Sequence, residues 1–214
     1  HALRVDVDML KGASRRVKDL LPQVLDTTHL DTLRGLEGIG ATAYFGVFDD
    51  MLLNQKDAFF FHGRNRRPPL DRVNAMLSFS YSLLEHDCAS ALESVGLDAY
   101  VGFLHRDRAG RESLALDLME ELRPCFADRF VLTLVNNGIL HEDDFEVRES
   151  GAVMLKDTAR KSFLKAWQER KQKAITHPYL GEKVPWGLVP YVQALLLARY
   201  LRGDLDEYPP FLWK

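Results

Sequence analysis

Apolar side chains recur at helical spacing along most of this chain. Val17, Leu21 and Val24 mark an early amphipathic stretch that Pro22 interrupts, since proline lacks an amide donor and clashes with the turn before it. Asp31 and Thr32 separate it from a glycine-rich passage at Gly35, Gly38 and Gly40. Ala41 to Leu53 then predicts a helix, weakened by Gly46. The run Gly63-Arg64-Asn65-Arg66-Arg67-Pro68-Pro69 reads as an exposed basic loop, because two adjacent prolines exclude a continuous helix. Asp71 opens a long helical pattern through Val73, Leu77, Tyr81 and Leu84, continuing to Leu92 and stopped by Gly96. Val101 to His105 is a short apolar piece followed by a polar turn, Arg106 to Arg111. Ser113 stands where a cap would start a helix with Leu114, Leu118 and Leu122 inward. Pro124 disturbs or ends that helix, and Phe126 to Asn136 starts another apolar segment. Phe145 to Leu155 alternates weakly, as a small hairpin would. Thr158 to Ile175 is helical and basic, Pro178 and Pro185 break the pattern, and Val189 to Leu201 predicts a last helix before the Pro209-Pro210 tail. No repeat or low-complexity tract is present, and the expected fold class is mainly α.

Composition narrows the picture. The 214 residues, 46% hydrophobic and 28% charged, suffice for one good core or two small ones. A net charge of −3 gives no global attraction to polyanions, so a nucleic-acid surface has to come from local clustering. Cys88 and Cys125 are far apart, which suits a reducing compartment and argues against a disulfide framework or a cysteine-built zinc site. No apolar run reaches membrane-spanning length and no signal peptide opens the chain, so a cytoplasmic location is expected. The chain starts at His1, which suits either a processed product or a start inside a longer polypeptide.

Four residues draw attention: Glu37, His105, Asp117 and Glu120. Asp117 and Glu120 lie three apart, about 60° apart around a helix axis and bordered by the leucine stripe. Carboxylates at the edge of an apolar face meet desolvation and mutual repulsion, and a divalent cation relieves both. His105 precedes the turn into that helix, and Glu37 sits among glycines that let a phosphate or a neighbouring helix approach. Oxygen ligands suit magnesium, and an added imidazole moves preference towards manganese. Plainer readings stand beside this one: a solvated loop glutamate, a structural histidine, and a carboxylate pair of a common kind.

Two basic segments are candidates for DNA contact. Arg64, Arg66, Arg67 and Arg72 cluster around Asp71; Lys161 and Lys165 belong to a second group between Lys156 and Lys173, with Phe163, Leu164 and Trp167 as its apolar anchor. A solvated helix face is the competing account of the second group. The glycine passage lacks the Lys and Ser/Thr of a phosphate-binding loop. Tyr44, Phe45 and Tyr81 read as core aromatics, with substrate contact by Tyr81 as an alternative.

Several motifs, in order, resemble one family. Gly35-Leu36-Glu37-Gly38 with Ala41 and Tyr44-Phe45 is similar to the first metal-ligand motif of the CRISPR adaptation integrase, the Cas-one family. Arg67-Pro68-Pro69 with Asn74-Ala75-Met76-Leu77-Ser78-Phe79 and Tyr81 resembles its next segment. Gly96-Leu97-Asp98 with Val101-Gly102-Phe103-Leu104-His105 resembles its histidine motif, and Leu116-Asp117-Leu118-Met119-Glu120-Glu121-Leu122-Arg123-Pro124 its acidic motif. The tail Leu195 to Leu201 with Pro209-Pro210-Phe211 is similar to the subtype I-C branch. The resemblance covers roughly residues 30 to 214 and implies a single helical catalytic domain behind a leading segment of about 30 residues, without the β-rich domain that begins most members. It implies Glu37, His105 and Glu120 as ligands of Mg²⁺ or Mn²⁺, with Asp117 coordinating or supporting. The reaction implied is endonuclease and integrase chemistry, in which a 3′-hydroxyl of captured DNA attacks the CRISPR repeat. The partners implied are prespacer and repeat DNA, a Cas-two protein, a Cas-four nuclease, and a second copy in the full-length protein. A non-catalytic DNA-binding or assembly module is the competing function, and an RNA nuclease a third.

Overall fold

The computed structural model describes residues 7–106 and 108–213. Helices dominate, with two short antiparallel hairpins, as the sequence pattern predicts. The chain divides into two compact units, one made of residues 1–76 and 132–156, the other of residues 77–131 and 157–214.

In the first unit, α1 (Val7–Asp19) and α2 (Leu21–Asp26) are separate helices broken at Leu20. Pro22 falls in the first turn of α2, where its missing amide has no intrahelical acceptor to lose. The helix α3 (Leu30–Phe45) runs straight through the glycine passage, against the expectation of a helix over Ala41 to Leu53. Each glycine costs roughly 1 kcal/mol against alanine in a helix, but α1 packs along α3 and Leu36 is buried, so tertiary contact outweighs propensity. Beyond Gly46 the chain makes only turns and a 3₁₀ turn at Asp49–Met51, whose neighbours Phe48 and Leu52 are fully buried. Gln55 donates from Nε2 to the Val135 and Leu140 carbonyls, pinning this segment to residues 135–140. The predicted hairpin forms as β1 (Phe145–Val147) and β2 (Val153–Leu155), in register Phe145 opposite Leu155. Phe59 packs edge-on against Phe145 with ring centroids 5.8 Å apart.

The helix α4 (Arg72–Ser94) starts in this unit and contributes residues 77–94 to the second. Asp71 caps it, accepting from the Asn74 amide at 2.7 Å, and Gly96 stops it with φ +82°. In the second unit, α5 (Ser113–Glu120) buries Leu114 and Leu118 as its spacing predicts. Ser113 is not its cap: Glu112 holds that position, and the Ser113 hydroxyl donates to the Arg106 carbonyl at 3.2 Å. As expected, α5 stops at Glu120, just ahead of Pro124. A π-helical turn, Arg123–Asp128, carries the chain into α6 (Arg129–Asn136). The basic helix α7 (Asp157–Gln172) is shorter than the pattern suggests, because Ile175 belongs to a hairpin that periodicity did not reveal, β3 (Ala174–Thr176) with β4 (Lys183–Pro185). The last helix is α8 (Val189–Leu201). Phe126, Phe130, Phe163, Trp167 and Trp186 form the aromatic core, with Phe126 and Trp167 centroids 4.7 Å apart. Cys88 and Cys125 are free thiols. Among the described residues, no helix is long and apolar enough to cross a membrane.

Candidate metal centre and basic surfaces

The centre in the second unit is built around the carboxylate of Asp117, on the outer turn of α5. Its Oδ2 accepts from the amides of Phe103 at 2.6 Å and Leu104 at 3.0 Å, and its Oδ1 from the amide of His105 at 2.9 Å. Three consecutive amides therefore wrap one side chain, and the short apolar piece Val101 to His105 is a loop. Val101 and Phe103 are exposed. Gly102 permits this wrapping: a Cβ there would lie 2.7 Å from the Ser113 Cβ and 3.0 Å from the Asp117 carboxylate.

The same carboxylate oxygen meets His105 Nδ1 at 2.7 Å. An ionised carboxylate only accepts, so Nδ1 carries a proton, and in the neutral ring the lone pair is on Nε2. Burial pushes the Asp117 carboxyl up, but hydrogen bonds from the His105 ring and the three amides outweigh it and hold the group below its usual value. His105 Nε2 faces Glu120 Oε1 at 3.9 Å. Glu120 is also 2.7 Å from Arg123 Nη1, and the Arg123 guanidinium lies over the Tyr81 ring at 4.8 Å. Tyr81 is buried and donates its hydroxyl proton to Asp128 at 2.6 Å.

Sequence reasoning passed over Arg123. Its position three residues beyond Glu120 on a helical path is the signal that it shares that face. Asp117, weighed as a metal ligand or a support, accepts from four donors and braces the His105 loop. A metal-binding histidine that donates its other nitrogen to a carboxylate is the usual construction of such sites. The imidazole and carboxylate donors of His105 and Glu120 therefore fit a divalent cation with mixed oxygen and nitrogen preference.

Glu37 lies in the first unit, exposed on α3 rather than in a loop. Nothing lies within 4 Å of a Cβ built on Gly35 or Gly38, so both flanks of Glu37 are open. Among the described residues, no group of three or more His, Cys, Asp or Glu is gathered closely enough to hold a metal ion.

The basic candidates divide into two kinds. Arg64, expected in an exposed basic loop, and Arg72, expected in the same arginine cluster, are both engaged by the protein itself. Arg64 Nη1 donates to Asn74 Oδ1 and to the Asn65 carbonyl, both at 2.7 Å. Arg72 donates from Nη1 to the Ala58 carbonyl at 2.9 Å and pairs through Nη2 with Glu142. Buried Asn74 organises the loop, donating to the Gly63 carbonyl at 2.8 Å and to Asp71 at 2.7 Å. A planar fork with several donors suits such internal bracing as well as it suits phosphate. Arg66 and Arg67 are exposed, as are Lys161 and Lys165 on α7.

Comparison with known proteins places these features in a lineage. The sequence model described as "CRISPR associated protein Cas1" matches residues 2–169, starting well ahead of the first motif. The chain is 51% identical over 214 residues to "CRISPR-associated endonuclease Cas1 1" of Chlorobaculum tepidum, covering 100% of this chain and 62% of the relative. Among solved structures it is similar to "Casposase bound to integration product", with a TM-score of 0.82, 28% identity, and coverage of 99% of this chain and 61% of that one. It is also similar to the "Partial Cas6-RT-Cas1--Cas2 complex", with a TM-score of 0.80, 27% identity, and coverage of 98% and 61%. The chain spans about three-fifths of the curated relatives it matches most strongly. With the family model covering most of its residues, the chain belongs to the CRISPR associated protein Cas1 family.

Proposed function

We propose that this chain is the helical catalytic part of a metal-dependent DNA endonuclease and integrase, of the subtype I-C branch, acting in CRISPR spacer acquisition. Glu37, His105 and Glu120 are the metal ligands in this reading, and Mg²⁺ or Mn²⁺ the ion. The observation that carries it is the Asp117–His105–Glu120 arrangement, in which a carboxylate fixes the imidazole tautomer and leaves Nε2 facing a second carboxylate. A bound divalent ion supplies charge to stabilise the in-line displacement at phosphorus. The protein's share is positioning. Asp117 holds the His105 loop, and Arg123 neutralises Glu120 in the apo site and offers a cation beside the reacting phosphate.

In the reaction proposed, the 3′-hydroxyl of a captured fragment attacks a phosphodiester at the repeat, and the displaced 3′ oxygen leaves with a proton. The same site hydrolyses DNA when water replaces the hydroxyl. The substrates are prespacer and repeat DNA. The partners are a Cas-two protein, a Cas-four nuclease and, in the full-length protein, a second copy. The likeness to an integration-product complex and to a complex containing Cas2 supports this assignment.

The test is Mn²⁺-dependent joining and nicking of a repeat duplex by the full-length protein and its His105→Ala variant, with helicity monitored by circular dichroism. Loss of both activities with helicity intact is expected. Full activity in the variant refutes the assigned centre. Salt-sensitive DNA binding by the wild type without turnover under any metal favours the assembly-module reading, and preferential cleavage of matched RNA favours an RNA nuclease.

A further inference from the structure

Within the second unit, the C-terminal tail closes on the end of α5. Glu121 follows Glu120, the last residue of that helix, and both of its carboxylate oxygens are engaged. Oε1 accepts from the Tyr208 hydroxyl at 2.7 Å; Oε2 accepts from Gln193 Nε2 at 2.8 Å and from the Phe211 amide at 2.7 Å. Two of these donors come from the tail, 87 and 90 residues along the chain. Gln193, fully buried on α8, also donates to the Tyr208 hydroxyl oxygen at 2.8 Å and to the Pro209 carbonyl at 3.2 Å. The Phe211 ring is buried edge-on against His177 and Trp186, with centroids 5.3 and 5.7 Å apart, which fixes the tail where its amide meets Glu121.

Successive side chains leave a helix about 100° apart around its axis. Glu120 therefore turns towards His105 and Arg123 while Glu121 turns towards the tail, from one stretch of backbone. That stretch needs holding. The helix has only eight residues, too few to be stable by itself, and its regular pairing ends here: the Leu122 amide bonds to the Met119 carbonyl, and a π-helical turn starts at Arg123. Met119 and Leu122 are buried and keep the backbone against the core, but apolar burial is not directional. Hydrogen bonds are, and three donors converging on one carboxylate fix the rotation of the turn about its axis. The same rotation sets where the Glu120 carboxylate stands relative to His105 Nε2.

We propose that Glu121 and Tyr208 are positioning residues of the metal centre: the tail, through Tyr208 and the Phe211 amide, holds Glu121 so that Glu120 faces His105. This role rests on the reading of Glu120 and His105 as metal ligands, and neither Glu121 nor Tyr208 touches the ion or the substrate in it. Loosening the tail then weakens ion binding while every ligand is left in the chain.

The experiment has two readouts on the 214-residue chain, at a temperature where circular dichroism shows each variant folded: amide hydrogen exchange in EDTA and calorimetric titration with Mn²⁺. Tyr208→Phe removes one donor and no charge. Glu121→Gln and Glu121→Ala lose the same charge, but the glutamine keeps an acceptor for Gln193 and Phe211, so the difference between them reads hydrogen bonding alone. Phe163→Leu, in the aromatic core, controls for lowered stability as such. Tyr208→Phe is expected to speed exchange about tenfold in peptides covering residues 117–122, without a matching change in α4 and α8, and to weaken Mn²⁺ about tenfold. Glu121→Ala is expected to bind about tenfold more weakly than Glu121→Gln, and Phe163→Leu to bind as the wild type does. Unchanged exchange in residues 117–122 of Tyr208→Phe overturns the proposal, as does unchanged Mn²⁺ affinity in that variant or an equal loss in Phe163→Leu. If the wild type and His105→Ala take up Mn²⁺ equally poorly, it is the metal reading that has failed; exchange in EDTA needs no ion and still decides whether the tail holds the turn that carries Glu120.

Discussion

Replacing Asp117 with asparagine tests the construction of the centre most directly. The substitution keeps size and shape but turns one oxygen into an amide donor. With Oδ2 retained towards Phe103 and Leu104, the new NH₂ faces two donors, the His105 amide and His105 Nδ1, which stand 2.9 and 2.7 Å from the present oxygen. The opposite amide orientation sets the NH₂ against the other two amides, so neither rotamer satisfies the loop. Hydrogen bonds to a charged acceptor contribute roughly 1.5–3 kcal/mol each, so losing two costs about 3–6 kcal/mol. The side chain is only 12% exposed, so solvent replaces little of this. At roughly 2–4 °C per kcal/mol for a chain of this size, thermal unfolding should come about 6–24 °C lower. Below that temperature the His105 ring is free to change tautomer, and Mn²⁺ affinity by calorimetry should fall about 10- to 100-fold. A variant melting within a degree of the wild type and binding Mn²⁺ equally well would refute the role given to Asp117.

Other outcomes follow from the second unit. His177 is fully buried, accepts from the Tyr179 and Leu180 amides at Nδ1 and donates from Nε2 to Gln193 Oε1 at 3.1 Å. Burial pulls its pKa below the usual value, although the Gln193 contact opposes this, so the folded state disfavours the proton that the unfolded chain accepts. Stability present above about pH 6.5 is therefore lost as pH falls towards the lowered folded value, and His177→Gln should flatten the melting temperature against pH in that window. Tyr208→Phe deletes the 2.7 Å hydrogen bond to Glu121 Oε1, in a half-buried network that also holds Gln193 Nε2 at 2.8 Å and the Phe211 amide at 2.7 Å. A loss of roughly 1–3 kcal/mol in urea unfolding is expected, and an unchanged midpoint would mean the tail is held by its aromatic contacts alone. Burial pushes the Cys125 thiol up to about 12, so iodoacetamide at pH near 8 should label it far more slowly in the folded protein than in urea.

Local pattern carried a long way. The helices α4 and α8, the β1–β2 hairpin and the leucine face of α5 follow from periodicity, because each buries one face and the spacing of apolar residues records which. The ordered motifs carry the family signature in the sequence itself. Local pattern failed at α3, where glycines read as a break although packing against α1 makes them helical; at Pro124 it held, since α5 stops at Glu120 and a π-helical turn follows.

Residue types and motif order alone determined the fold class, the family and the carboxylate and imidazole candidates. Only the tertiary structure decided that Asp117 is a brace, that Arg123 shares Glu120, and that Arg64 and Arg72 are spent internally. The reason is physical. Periodicity encodes which face of an element is buried, whereas a hydrogen bond between residues 12 to 70 positions apart depends on how loops close in space, which no local pattern records.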